Sequence, residues 1–241
     1  MLQQTQVVRV MPKYDAWLQA FPTVKDLANA KTAEVLRLWS GLGYNRRALY
    51  LQKCAKILCH PEFISGSPWD SIASLQNDTK GMMDALKKLP GIGEYTAAAV
   101  ACFAFDQQVA VVDTNIRKVI LIEFKITNYE LRIGDKQIQI VADALLPRGR
   151  AYEWNQALMD YASAMLKKEK IPVAKQSKFK GSDRYYRGQI VKMLLDKKEI
   201  TVTELISVFK KNEAFVSKII QGLVKDGMVK KEGNYIFFAS H

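Results

Sequence analysis

A chain of 241 residues that is 49% hydrophobic and 25% charged has enough apolar material to bury a core, which excludes a disordered or fibrous class. Its 36 Lys and Arg against 24 Asp and Glu leave a net charge of +12, an excess that favours a polyanionic partner through counterion release; Lys167 to His241 alone carry +9 of it. No run of about 18 apolar residues is present and no basic stretch leads into an apolar one at the start, so neither a membrane span nor a signal peptide is expected, and a cytoplasmic location is.

From Thr5 to Phe105 apolar residues recur every three or four positions, as in Val7, Val8, Met11, Trp17, Leu18 and Phe21, then Leu36, Leu38 and Trp39. That spacing predicts one amphipathic helix after another. Breaks fall at Phe21-Pro22-Thr23, at Ser40-Gly41-Leu42-Gly43, and across His60 to Lys80, where Pro61, Gly66, Ser67 and Pro68 predict a surface loop. A second helical set covers Thr114 to Glu123, Gly134 to Leu146 and Ala151 to Leu166. The texture then turns polar and basic, as a linker does. Beyond it lie three amphipathic segments, Tyr185 to Asp196, Val202 to Lys210 and Glu213 to Asp226, and a hairpin over Met228 to Phe238 that turns near Gly233-Asn234. Three helices and a terminal hairpin predict a small winged helix-turn-helix-like α+β domain. The expected organisation is therefore an all-α domain over 1–170, a basic linker over 171–183, and the winged-helix-like domain over 184–241. Cys54, Cys59 and Cys102 are an odd set in apolar surroundings, which reads as reduced thiols packed in helices, with no disulfide frame and no metal site.

Two motifs carry chemistry. Leu89-Pro90-Gly91-Ile92-Gly93-Glu94-Tyr95-Thr96-Ala97 lies between an amphipathic segment and a helix of small residues. Its glycines permit a tight hairpin, and the free amides of the following helix start form an anion site. Pro-Gly between helices is also an ordinary connector. If the anion is DNA, Gly91, Gly93 and Thr96 grip a backbone phosphate without reading sequence. About twenty residues on, Val109-Ala110-Val111-Val112 delivers Asp113 to the start of a helix. The commonest role for an Asp there is that of an N-cap. The alternative is chemical: breaking an N-glycosidic bond builds positive charge on a sugar, which a fixed carboxylate stabilises.

A glycine hairpin followed by V-D-x-N at this distance resembles the helix-hairpin-helix (HhH-GPD) DNA glycosylases of base excision repair, and within them the adenine-glycosylase (MutY-type) subfamily, over about Met1 to Leu166. The resemblance implies a two-lobed helical glycosylase fold with Asp113 as the catalytic carboxylate and Asn115 beside it. Bifunctional relatives carry a Lys two residues after the second glycine, because a lyase step needs an amine. Tyr95 stands there, which implies a monofunctional hydrolase. Met1-Leu2-Gln3-Gln4-Thr5 and Gly41-Leu42-Gly43-Tyr44 with Arg46 and Arg47 are similar to two further motifs of the subfamily. By that similarity Gln4 and Tyr44 enter the duplex at the lesion, Leu2 lies near the base pocket, and Arg46 and Arg47 lie against DNA. The implied partner is double-stranded DNA with a mismatched or oxidised base pair, bound by a monomer with no membrane involvement.

Three departures bear on this. The subfamily's general acid is a Glu two residues before the Met of the first motif, a position that precedes Met1. The expectation is that the sequence starts inside a longer protein, since such an acid is typically worth about two to four orders of magnitude. Relatives carry four cysteines after the position of Met165 for an iron-sulfur cluster; no cysteine follows Cys102, so no such cofactor is expected. The lesion-recognition domain of the subfamily is replaced by the basic winged-helix-like segment. Glu213 to Asp226 is its recognition helix if it meets DNA, and it can equally be a platform for protein. Two rivals stay open: a glycosylase for another base such as thymine opposite guanine, since Thr114 stands where adenine glycosylases commonly have Gly, and a non-catalytic DNA-binding protein.

Overall fold

The computed structural model describes residues 1–2, 5–59, 72, 74–125, 135–169 and 178–239. In chain order the helices are α1 (Val7–Ala20), α2 (Val24–Asn29), α3 (Thr32–Trp39), α4 (Arg46–Leu58), α5 (Thr79–Lys87), α6 (Glu94–Phe105), α7 (Thr114–Glu123), α8 (Asp135–Ala144) and α9 (Ala151–Ala164). There follow α10 (Asp183–Lys197), β1 (Glu199–Thr201), α11 (Val202–Phe209), α12 (Glu213–Lys225), β2 (Val229–Glu232) and β3 (Tyr235–Phe238). Two compact units result, Met1–Ser65 with Lys175–His241, and Gly66–Ala174. Among the described residues no helix is long and apolar enough to cross a membrane.

In the first unit the predicted breaks are structured stops. Thr23 caps α2 in a reciprocal box with Asp26, satisfying two amides that a helix start leaves free. Gly41, Gly43 and Tyr44 all take positive φ, 93°, 71° and 49°, and the Trp39 indole donates to the Gly43 carbonyl at 3.0 Å. Trp17 meets Phe21 and Trp39 edge-on, at 4.9 and 5.5 Å between centroids. The C-terminal elements start on side-chain caps: Ser182, Thr201 and Asn212 accept from the amides of Tyr185, Glu204 and Phe215. Their sheet has the order β1-β3-β2, antiparallel throughout. Helix, strand, helix, helix, strand, strand is the winged-helix arrangement, with β1 added to the expected hairpin. Ile190, Leu194, Leu205, Val216, Ile220 and Ile236 belong to the same continuous core as Val35, Leu36 and Leu49 of the N-terminal helices. This unit is therefore assembled from both ends of the chain.

In the second unit α5 packs on the small residues of α6, burying Met82 and Leu86 with Ala97, Ala98, Ala101 and Cys102. A second patch joins α7 to α8 through Ile116, Ile120, Ile138 and Ala142. The stretch read as a surface loop, His60 to Lys80, falls mostly outside the described residues. Within it Ile72 is buried in the unit's core, and Thr79 and Lys80 already belong to α5. Most of the expected linker, 171–177, also lies outside the described residues. Of the three cysteines, Cys54 and Cys102 are buried, Cys59 is partly so, and all three are free thiols.

Candidate active site

The hairpin joins α5 to α6. Gly91 has a φ of +78°, the left-handed region that a Cβ disfavours, so this position does require glycine. Gly93 does not require it in the expected way. It is the N-cap of α6 with φ −101° and ψ −175°, an extended conformation open to any residue, and a Cβ built there meets nothing within 4 Å. Its bareness leaves open space directly before the first amides of α6, which have no partner inside the helix. Lys87 draws the Glu94 carboxylate at 3.0 Å and that of Asp84 at 2.9 Å, so the acid in this first turn is held by a lysine. Thr96 sits half-buried in the same turn.

Downstream of α6 the irregular approach to Asp113 pairs with no strand among the described residues, and amide and carboxylate side chains take the place of a sheet. Asn155 of α9, 1% exposed, accepts from the Val111 amide at 2.8 Å and donates to the carbonyls of Val109 and Ala151 at 3.0 and 2.8 Å. Asp143 accepts from the Ala110 amide at 3.2 Å and Gln139 donates to the Ala110 carbonyl at 3.0 Å. Three successive residues are thus pinned on their backbone polar groups, which apolar burial would otherwise leave unsatisfied. Asp113 follows as the N-cap of α7. One oxygen accepts from the Ile116 amide at 2.7 Å, and the other accepts from the Asn115 side chain at 3.1 Å. Burial pushes the carboxyl above its ordinary pKa, against the pull of the hydrogen bonds from Ile116 and Asn115.

Tyr95, in the first turn of α6, has its phenol pKa raised by burial and then by the negative charge of Asp113. Asp113, Asn115 and Tyr95 therefore form one electrostatic neighbourhood, and the phenol stays protonated near neutrality. The remaining expected residues belong to the other unit. Leu2 is 58% exposed, and Gln4 lies outside the described residues. Tyr44 is exposed and strained at positive φ, with the Arg47 guanidinium 5.5 Å from its ring centroid and the Arg184 guanidinium donating to its hydroxyl at 3.4 Å. Arg47 also lies over the Trp39 ring at 5.3 Å, and burial lowers its pKa. Arg46 is ion-paired with Asp226 at 3.5 Å.

Sequence reasoning missed Asn155, Gln139 and Asp143. A signal for them existed: an apolar run such as Val109 to Val112 with no partner strand in the pattern has to find its hydrogen bonds in side chains.

Residues 1–129 match the family described as HhH-GPD superfamily base excision DNA repair protein. The chain is 33% identical to the adenine DNA glycosylase of Mycolicibacterium smegmatis over 96% of this chain and 82% of that one. It is 45% identical to the adenine DNA glycosylase of Mycobacterium tuberculosis over 50% of this chain and 35% of that one, so it spans about a third of that relative. Among solved structures it is similar to a thermostable thymine-DNA glycosylase, with a TM-score of 0.54 and 26% identity, covering 70% of this chain and 72% of the other.

Proposed function

This chain belongs to the HhH-GPD superfamily of base excision DNA repair proteins, and from that premise we propose that it is a monofunctional DNA glycosylase that hydrolyses the N-glycosidic bond of adenine mispaired with 8-oxoguanine or guanine. The reading includes a monomer acting on double-stranded DNA in the cytoplasm. The bond from the sugar to adenine breaks with its electron pair leaving on the base, the base takes up a proton, and water adds to the sugar carbon, giving up a proton to solvent. Asp113 stabilises the cationic sugar between those events. Asn115 orients the carboxylate, and Tyr95 supplies a neutral phenol where an amine would form a Schiff base. In the subfamily pattern a Glu delivers the proton to the base. Gly91, Gly93 and Thr96 bind phosphate at the start of α6, and Gln4, Tyr44, Arg46, Arg47 and Leu2 act at the duplex and the extruded base.

An iron-sulfur cluster of the kind relatives carry needs four thiolates. Cys54 and Cys59 fall in one unit and Cys102 in the other, and the chain has three cysteines in all. These residues do not fit such a group, and no step runs through one.

The observation that carries the reading is a half-buried carboxylate held at the start of α7 by the Ile116 amide and the Asn115 side chain, its pKa raised by partial burial and its charge felt by the phenol of the hairpin helix. The test is a duplex with adenine opposite 8-oxoguanine, incubated with this chain and then treated with hot alkali. Cleavage at the adenine is expected, and Asp113→Asn is expected to abolish it. No strand break, or equal breakage by Asp113→Asn, rejects the reading. One observation favours a second reading: the likeness to a thymine-DNA glycosylase, joined to Thr114 after Asp113. A duplex with thymine opposite guanine in the same assay separates the two.

A further inference from the structure

The C-terminal segment presents a surface that the glycosidic chemistry does not use. Helix α12 buries Val216, Ile219, Ile220 and Leu223 in the core of its unit. Ser217, Gln221 and Lys225 recur every four residues and so share another face; Gln221 and Lys225 are exposed and Ser217 is half-exposed. Together with Val224, the edge of Ile220, and Lys231 on the neighbouring strand β2, they line a groove of about 400 Å³.

The charge around this groove is one-sided. Asp226, which follows α12, is taken up by Arg187 and by Arg46. Glu232, next to Lys231, is bonded to Lys230 at 2.7 Å. Among the described residues neither Lys225 nor Lys231 has a carboxylate partner. The groove lining holds no acid; Glu213, one turn before Ser217, is exposed on the same helix but lies outside that lining, and two ammonium groups flank a strip of hydrogen-bonding side chains and two aliphatic ones. A helix of 13 residues is about 20 Å long and, with its side chains, about as wide as the major groove.

We propose that the α12 and β2 face, through Ser217, Gln221, Lys225 and Lys231, is a second DNA-binding surface that holds duplex DNA independently of the base being excised. Lys225 and Lys231 neutralise phosphates, Ser217 and Gln221 donate to phosphate or base edges, and Val224 packs on thymine methyl groups or sugar. The inference rests on the reading that this chain acts on DNA, and not on the glycosidic chemistry. It chooses DNA over a protein partner because lone lysines flanking polar side chains complement a polyanion, whereas a protein-binding face is depleted of Lys and anchored on aromatics.

The test uses the whole chain and an undamaged duplex without a target mismatch, titrated at several salt concentrations. Lys225→Gln with Lys231→Gln is expected to weaken binding about tenfold or more at low salt and to lower the slope of log affinity against log salt by about 2, close to 0.9 for each phosphate no longer neutralised. Lys197→Gln, which removes a lysine bonded to Glu204, is the control and is expected to change neither quantity. Gln221→Ala is expected to weaken binding with the slope unchanged. The rate of base release under single-turnover conditions at saturating enzyme is expected to stay as in the parent. Unchanged affinity and slope in the double variant overturn the proposal, as does an equal loss in the Lys197 control. Because the binding assay needs no catalysis, a chain that releases no adenine yet shows the lysine-dependent slope defeats the glycosylase reading and leaves this surface standing.

Discussion

Replacing Asn155 with Ala removes the amide that ties the approach to Asp113 onto α9. Two buried backbone groups lose their partner: the Val111 amide, whose residue is 0% exposed, and the Val109 carbonyl, whose residue is 7% exposed. The Ala151 carbonyl keeps the bond expected within its helix. Each orphaned group costs about 1–3 kcal/mol, so the variant is expected to lose about 2–6 kcal/mol, with a fall in Tm of roughly 4–24 °C. A second consequence is geometric. Released from Val109 and Val111, Asp113 shifts relative to the hairpin, and a displacement of about 1 Å is enough to slow a positioned reaction about a hundredfold. Chemical denaturation measures the first effect, and single-turnover base release, at a temperature where the variant is fully folded, measures the second. A stability within about 0.5 kcal/mol of the parent would show that the three bonds contribute nothing net. A less stable variant with an unchanged rate would show that they hold the fold but do not position Asp113.

Other substitutions separate the parts of the site. Gly93→Asp places a favoured N-cap residue in open space, so stability is expected to hold or rise slightly, while the added charge repels phosphate and DNA affinity at low salt falls about tenfold or more; a binding titration showing parent affinity refutes the anion-site reading. Gly91→Ala puts a Cβ at a φ of +78° and is expected to cost about 1–2 kcal/mol in urea denaturation. For Asp113 the folded pKa is raised, so between the unfolded and folded values the native state holds the extra proton, and stability declines as pH rises through that window. Asp113→Asn keeps the capping bond and loses that dependence. It is expected to be at least as stable as the parent at pH 7, with the advantage shrinking as pH drops through the folded pKa. A variant that is instead less stable at neutral pH contradicts the sign of the shift.

Local structure was legible where it depends on neighbours in sequence. Helical periodicity located α7 to α12 to within a few residues and the breaks before α2 and α4, though not the one between α2 and α3, and the Gly233-Asn234 turn located the hairpin. Strand β1 was not legible, since three residues cannot display an alternation; it exists because Ile200 pairs with Ile236 across the sheet. The composition of the first unit was equally hidden, because an apolar face states that it must be covered and not which distant segment covers it. At the site, the hairpin and Asp113 stood out as motifs, whereas Asn155 lay in an ordinary amphipathic helix and acquired its role only when the Val109 to Val111 backbone arrived with unpaired groups. Gly93 carries no conformational signal of its own: its backbone is extended, and only the open space in front of it distinguishes it.

Both roles weighed for Asp113 coexist in the structure, and their balance points to chemistry. Capping needs one oxygen, the one that meets the Ile116 amide. An Asn or Ser would cap about as well without carrying a charge into the interior. The second oxygen accepts from the neutral side-chain amide of Asn115, the other hydrogen bonds to the carboxyl come from neutral backbone amides, and no Lys or Arg is bonded to the carboxylate among the described residues. A cation there would relieve the burial that raises its pKa, yet it would also cancel the negative potential that a positively charged sugar requires. Leaving the carboxylate partly desolvated and oriented by neutral donors, with no cation bonded to it among the described residues, keeps that potential available for a charge that exists only during bond cleavage. On this argument a Lys introduced at position 115 should stabilise the fold while slowing base release, because the protein would then supply the positive charge that the reaction is meant to bring.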